Sequence, residues 1–180
     1  MISSKEAQRA RRTAMKFYSK AGIVLTPQEK KTIEVTEFGL GDLYHTGLEI
    51  VVYVNTERYC AKEIALFPHQ TCPEHLHPNL DGEQGKQETF RCRWGTVYLY
   101  VHGQPATRPH SVPPAGKEKY YTVYHEVLLK PGQQYTLPPG TLHWFQAGDR
   151  GAVVSEFSSK STDEKDVFTD PNIVRVTEEA

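Results

Sequence analysis

The sequence predicts an all-β domain preceded by one α-helix. Valine, isoleucine and threonine are frequent, and there are ten tyrosines among 180 residues; these residue types are typical of strands. Short runs alternate between apolar and polar residues, and segments rich in glycine or proline separate them. Many short strands broken by turns indicate a sandwich or a closed barrel.

Length, charge and cysteine content narrow the class of protein. A chain of 180 residues forms one domain with a sizeable core. The formal net charge of -1 gives no sign of a nucleic-acid or membrane partner. No apolar run is long enough to cross a bilayer, and the first residues lack a secretion signal. The three cysteines are irregularly spaced, which favours a reducing cytoplasm over a disulfide framework.

We expect one domain, residues 1–180, in three parts. Residues 1–22 form the helix: Ser3 and Glu6 are spaced as a capping box, the alanines and Phe17 recur at helical spacing, and Gly22 ends it. Residues 45–157, approximately, form the barrel, and the polar tail 158–180 packs on it. The predicted strands are 49–55, 59–67, 96–102, 120–129, 133–137 and 152–157.

Three histidines and one glutamate form the candidate metal site. His75 and His77 are two residues apart, so an extended strand places both on one face. Glu88 follows after a loop, and His143 follows a Pro-Pro-Gly turn. Three imidazoles and one carboxylate suit Mn, Fe, Co, Ni or Zn, and they leave coordination positions open for substrate oxygens.

The surroundings of these residues resemble the two motifs of the cupin superfamily. Residues 88–95 resemble the Glu-(x)6-Gly half of the first motif, and Gly132-(x)5-Pro138-x-Gly140-x-x-His143 resembles the second. The resemblance covers roughly residues 60–157. It implies a cupin jelly-roll β-barrel that holds the four ligands inside.

This chain departs from the superfamily pattern at three points. Ten residues, 78–87, separate His77 from Glu88, where the motif usually has three or four. His69 stands where the first motif begins with glycine, and Ala147 replaces the asparagine that often ends the second. None of these changes removes a candidate ligand, and a longer loop costs little conformational entropy.

A closer resemblance extends over most of the chain. Residues 67–78, 85–90, 155–158 and 163–171 are similar to segments of the D-lyxose isomerase family. This implies an aldose–ketose isomerase that interconverts D-lyxose and D-xylulose through a metal-stabilised enediol, with D-mannose and D-fructose as related substrates. It also implies one divalent metal ion per chain, commonly Mn2+, with Co2+, Zn2+, Fe2+ or Ni2+ as alternatives. A homodimer is expected because cupins commonly pair.

Isomerisation needs groups that move protons between neighbouring carbons and oxygens. We expect Glu156 to be the carbon base, although turn residues between it and His143 leave its direction open. Lys62 shares a face with Cys60, Ile64 and Leu66, which points it inward. Asp166 is a third catalytic candidate. Gln70 and Trp144 are expected to line the mouth of the substrate pocket, with packing as the alternative for either residue.

Three alternative functions remain open at this stage. A sugar-phosphate isomerase would need a cationic clamp for phosphate, for which Arg91 and Arg93 are candidates if their shared face points inward. An iron dioxygenase would use the same three histidines and one glutamate. A non-enzymatic cupin would bind sugar without turning it over.

Overall fold

A computed structural model describes residues 1–80 and 82–180, and within them the chain forms two α-helices and nine strands. The helices are α1 (Ser4–Lys20) and α2 (Pro27–Lys31). The strands are β1 (Glu34–Thr36), β2 (Leu48–Asn55), β3 (Cys60–Leu66), β4 (Thr71–Leu76), β5 (Glu88–Val101), β6 (His125–Leu129), β7 (Gln134–Leu137), β8 (His143–Ser158) and β9 (Val167–Phe168). Neither helix is long and apolar enough to cross a membrane.

The N-terminal helix begins and ends close to its predicted limits. The Ser3 side chain accepts a hydrogen bond from the backbone N–H of Glu6, which satisfies one of the free amides at the helix start. One face of α1 is buried, and Phe17 lies on it. The second helix was not predicted, although its start carries a clear signal. Thr26 and Glu29 form a complete capping box with a proline between them.

Two long strands join the two layers of the barrel. The second half of β8 pairs with β3 and with the first half of β5, whereas the first half of β8 pairs with β4 and with the second half of β5. One layer therefore runs β1-β2-β3-β8-β5-β7, and the other runs β9-β4-β8-β5-β6. All these pairings are antiparallel. The predicted all-β fold class is confirmed, but 88–95 and 96–102 form one strand, and 120–124 is not part of β6.

Gly95 and Gly151 allow β5 and β8 to bend where they pass between layers. Both have positive φ angles, +75° and +82°, a conformation that favours glycine. A Cβ atom on Gly95 would lie 2.0 Å from the carbonyl oxygen of Gly151. The backbones approach so closely that no side chain fits. This explains the glycine that ends the first predicted motif.

Apolar side chains fill three clusters around this frame. The largest lies inside the barrel and includes Ile64, Leu66 and Val154. The second lies under α1, where the helix covers the outer face of the sheet. The third lies on the opposite layer and contains Tyr100 and Trp144. One end of the barrel interior is lined by polar side chains instead, and the candidate site lies there.

Candidate metal centre and active site

Strands β4 and β8 bring three histidines together inside the barrel. His75 is the register partner of His143 across these antiparallel strands, and His77 follows β4 directly. One side-chain nitrogen from each histidine lies within 4.8 Å of the others, and all three residues are buried. Such a group can hold a metal ion.

Each histidine is held through Nδ1, so that Nε2 points towards the shared centre. His75 Nδ1 lies 2.8 Å from the carbonyl oxygen of Pro73, and His143 Nδ1 lies 2.9 Å from that of Thr141. A carbonyl oxygen only accepts, so Nδ1 carries the hydrogen and Nε2 keeps its lone pair. This arrangement is typical of metal-binding histidines. The buried Nε2 of His143 makes no hydrogen bond, so its lone pair is available to bind a metal.

Glu88 begins β5 and supplies an oxygen to the same centre. Its Oε1 lies 3.0 Å from Nε2 of both His77 and His143, although the contact with His143 lacks hydrogen-bond geometry. Burial alone would raise the pKa of Glu88, but Lys86 and His77 hold it well below its usual value. Three imidazole nitrogens and one carboxylate oxygen therefore converge as a donor set that fits a divalent transition metal.

The histidine environments differ in charge. Burial lowers the pKa of His75 well below its usual value, and the neighbouring His143 and His77 lower it further. Burial also opposes the charged form of His77, but Glu88 and Asp166 outweigh it and raise its pKa to about 9. The His77 Nδ1 atom lies 2.6 Å from Asp166 Oδ1. Asp166 therefore contacts His77 through Nδ1, the ring nitrogen that faces away from Glu88.

Lys86 joins the candidate metal site to the candidate base, and the sequence reasoning missed it. Its Nζ atom lies 2.9 Å from Glu88 Oε2, 3.0 Å from Glu156 Oε1 and 3.3 Å from Asp163 Oδ1. Burial opposes the ammonium form, but these carboxylates raise the pKa of Lys86 well above its usual value. The sequence signal that could have identified Lys86 is its spacing from Glu88. Lys86 and Glu88 are two residues apart, as His75 and His77 are.

Lys62 and Glu156 are register partners across β3 and β8. Both point into the barrel and are buried, so the structure resolves the direction of Glu156 that periodicity left open. Lys62 Nζ lies 2.5 Å from Asp163 Oδ2 and 2.8 Å from Ser161 Oγ, but 3.8 Å from Glu156 Oε1. Of the two lysines, Lys86 is therefore closer to the candidate base.

The tail completes the cavity. Phe168 of β9 stacks on His75, with ring centroids 5.3 Å apart. Arg175 lies later in the same tail, and its guanidinium donates hydrogen bonds to Glu34 at 2.5 Å and to Asp163 at 3.3 Å. The resulting cavity occupies about 380 Å³, including the space at its mouth. Its lining combines histidines and charged side chains at one end with apolar side chains such as Ile50 and Phe90.

Gln70 and Trp144 do not lie where the sequence analysis expected them. Gln70 is fully buried, and its amide bonds the backbone of Leu43 and Phe67 as well as Glu49. Trp144 stacks on Tyr100 in the third apolar cluster. Neither residue lines the cavity. Gln70 is occupied by holding a loop, and strand alternation turns Trp144 away from His143.

Other residues from the sequence analysis fall outside the site or at its margin. Glu74 faces away from the histidines and accepts hydrogen bonds from Thr122, Val123 and Thr169. Arg91 and Arg93 are exposed on the outer face. Cys72 packs in the barrel core and touches the cavity. Asp81, within the longer loop 78–87, lies outside the described residues.

Comparisons with known proteins show the family to which the chain belongs. The D-lyxose isomerase family model matches residues 26–179. The D-lyxose ketol-isomerase of Thermofilum sp. (strain ex4484_79) is 60% identical over 178 residues, 99% of each chain. The D-lyxose/D-mannose isomerase of Thermosediminibacter oceani is 59% identical over 178 residues, covering 99% of this chain and 98% of that protein.

Solved structures show the same fold at much lower identity. L-ribose isomerase from Cellulomonas parahominis superposes with a TM-score of 0.81 at 18% identity, covering 99% of this chain and 98% of that chain. L-ribose isomerase from Acinetobacter sp. DL28 has a TM-score of 0.81 at 15% identity over the same shares. The long match to the family model and the identity near 60% decide the assignment. The chain belongs to the D-lyxose isomerase family, and it is an isomerase with a cupin fold.

Proposed function

We propose that this enzyme interconverts D-lyxose and D-xylulose, with D-mannose and D-fructose as related substrates. The observation that carries the proposal is the position of Glu156. Its carboxylate lies inside the barrel, one lysine away from a donor set of three histidines and Glu88. The relatives at about 60% identity are named for D-lyxose or for D-lyxose and D-mannose, which supports this pair of substrates.

His75, His77, Glu88 and His143 are the residues that would hold one divalent ion, and we propose Mn2+. A bound ion would polarise the sugar carbonyl and stabilise negative charge on neighbouring sugar oxygens. The charges around the cavity favour such an ion. Apart from the histidines, four carboxylates and three cations line the cavity, so negative charge is in excess; the carboxylates are Glu88, Glu156, Asp163 and Asp166, and the cations are Lys62, Lys86 and Arg175.

Glu156 is the proposed base that carries a proton between C2 and C1 of the sugar. The reaction moves one proton between adjacent carbons and another between their oxygens, so a single carboxylate that reaches both carbons can act on each in turn. Lys86 holds Glu156 Oε1 at 3.0 Å and contacts Glu88 with the same ammonium. We propose that Lys86, with Lys62 behind it, also stabilises charge on the sugar oxygens.

Asp166 has a different proposed role from the one the sequence suggested. Its carboxylate is engaged with His77 at 2.6 Å, so it orients a ligand rather than touching the sugar. Such partners fix the tautomer and the ring direction of a metal-binding histidine. We therefore treat Asp166 as a positioning residue.

The alternative of a phosphorylated substrate is less well supported. Arg91 and Arg93 are exposed, and the cations that line the cavity are each paired with carboxylates. A phosphate group would have to displace these partners.

Three further properties stay predictions from the sequence: a homodimer, a cytoplasmic location and a single domain over residues 1–180. Light scattering of the purified protein would test whether it is a homodimer.

The test is isomerase activity on D-lyxose after chelation of the purified protein and addition of Mn2+, Co2+, Mg2+, Zn2+ or no metal. We expect D-xylulose to form only when a metal is restored. A His75→Ala variant should bind less metal and should not recover, whereas His69→Ala, which changes an exposed histidine, should recover fully. Absence of turnover of D-lyxose and D-mannose with every metal would contradict the proposal. Phosphorylated sugars would then be assayed.

A further inference from the structure

A second cavity lies directly behind the metal-binding one. This outer basin, of about 520 Å³ including open solvent, is lined by Val52, Asn55 and tail residues such as Val176. Three residues line both cavities: Lys62, Asp163 and Arg175. We call these three the partition.

The partition consists of side chains that three distant segments contribute. Lys62 comes from β3, Asp163 from the short 3-10 turn after β8, and Arg175 from the tail. Asp163 Oδ2 lies 2.5 Å from Lys62 Nζ and 3.3 Å from an Arg175 guanidinium nitrogen. Because these three side chains line both cavities, their size decides where the inner cavity ends at this point.

A chain of contacts places the partition one layer behind the proposed reaction centre. Lys86 contacts Glu88 at the metal end and Asp163 in the partition. Glu156 Oε1 lies 3.8 Å from Lys62 Nζ. In the proposed binding mode, C1 and C2 of the sugar lie beside Glu156 and the histidines, and its remaining carbons extend along the cavity towards Arg175 of the partition. This step rests on the proposed function.

We propose that Arg175 is a specificity-determining residue that limits the length of the sugar chain. Its guanidinium closes the inner cavity and offers N–H donors to the hydroxyl at the far end of a pentose. Asp163 beside it offers acceptor oxygens. A hexose must fit one more carbon and hydroxyl before the same wall. Discrimination over a single carbon is typically worth 10- to 200-fold in kcat/KM.

The test compares kcat/KM for D-lyxose and D-mannose in Mn2+-loaded full-length enzyme. Arg175→Ala opens the partition into the outer basin and should raise the ratio of D-mannose to D-lyxose by about tenfold or more. Arg175→Gln keeps part of the side chain and should raise the ratio less. Asp163 retains Lys62 and Lys86 as partners in both variants, and thermal unfolding with metal titration shows whether fold and site are intact.

A filling variant provides the matched control. Val52 is half-exposed on β2 and lines the outer basin but not the inner cavity. Val52→Trp alone should leave both activities unchanged, whereas in the Arg175→Ala background it should reverse the gain for D-mannose. If the Arg175 variants fold and bind metal but change both activities by the same factor, the inference is wrong. If the wild type turns over neither sugar, the proposed substrates fail and the inference fails with them.

Discussion

Lys86 and Glu156 form a 3.0 Å ion pair in the interior of the barrel. The same ammonium lies 2.9 Å from Glu88, so one cation joins the proposed base to a proposed metal ligand. Two carboxylates this close would repel each other without it. The ammonium therefore lies between the two carboxylates and holds the proposed base beside the proposed metal ligand.

Glu156→Gln should lower kcat for D-lyxose by about a thousandfold, within the usual range for a general base, because an amide cannot take up the C2 proton. Metal binding should remain, since Glu156 is not in the donor set. The control is Glu63→Gln, a buried glutamate on the outer face of the adjacent strand that accepts from Ser155. That variant should keep nearly full activity. Stopped-assay kinetics and metal titration of both variants check the prediction, and comparable losses in the two would contradict it.

Lys86→Met should reduce kcat more than Lys62→Met. Lys86 contacts both Glu88 and Glu156, whereas the close partners of Lys62 are Ser161 and Asp163. We expect about a hundredfold loss for Lys86→Met and less than tenfold for Lys62→Met, in line with the loss of one preorganised charge. Steady-state kinetics on both proteins, checked for equal metal content, decide the order. The reverse order would restore the sequence-based preference for Lys62.

Asp166→Asn should weaken metal binding by about 10- to 100-fold, because partners that orient a ligating histidine contribute to affinity at this level. Titration of metal-free protein with Mn2+ measures the change. With metal at saturation, kcat should recover to within a few fold of the wild type. Asp149→Asn is the control, since Asp149 is highly exposed and contacts only the exposed His69 among the ion pairs of the described residues. A variant that binds metal normally but remains inactive would instead place Asp166 in proton transfer.

The pH dependence of stability should change in Glu49→Gln. Glu49 is fully buried, and burial raises its pKa well above the usual value. The folded protein therefore keeps a proton that the unfolded chain releases above about pH 4.3, so this group's stabilising contribution falls as pH rises. Relative to wild type, the glutamine variant should gain stability as the pH rises above the usual glutamate pKa of about 4.3, at up to about 1.4 kcal/mol per pH unit.

Urea unfolding at several pH values, with metal held at saturation, measures that difference. Glu57→Gln alters a glutamate that is 84% exposed, and its stability relative to wild type should not vary with pH. A Glu49→Gln difference that is equally flat would show that Glu49 ionises normally in the folded protein.

The sequence was informative where neighbours along one strand decide the outcome. Lys62 shares one face of its strand with Ile64 and Leu66, and the structure places all three inside the barrel. His75 and His77 share a direction because side chains two residues apart on a strand do so. Gln70 and Trp144 were misplaced because their surroundings are set by distant residues. Leu43 and Glu49 occupy the amide of Gln70, and Tyr100 covers Trp144.

By itself, then, the sequence determined the all-β class, the helix at the start, the shared face of His75 and His77, and the family resemblance. These follow from local periodicity and from motifs a few residues long. Only the tertiary structure decided that Lys86 lies between Glu88 and Glu156, that Asp166 supports His77, and that Lys62, Asp163 and Arg175 share a wall. The physical reason is that these contacts join segments far apart in the chain, and their geometry depends on the bends of β5 and β8 and on the path of the tail.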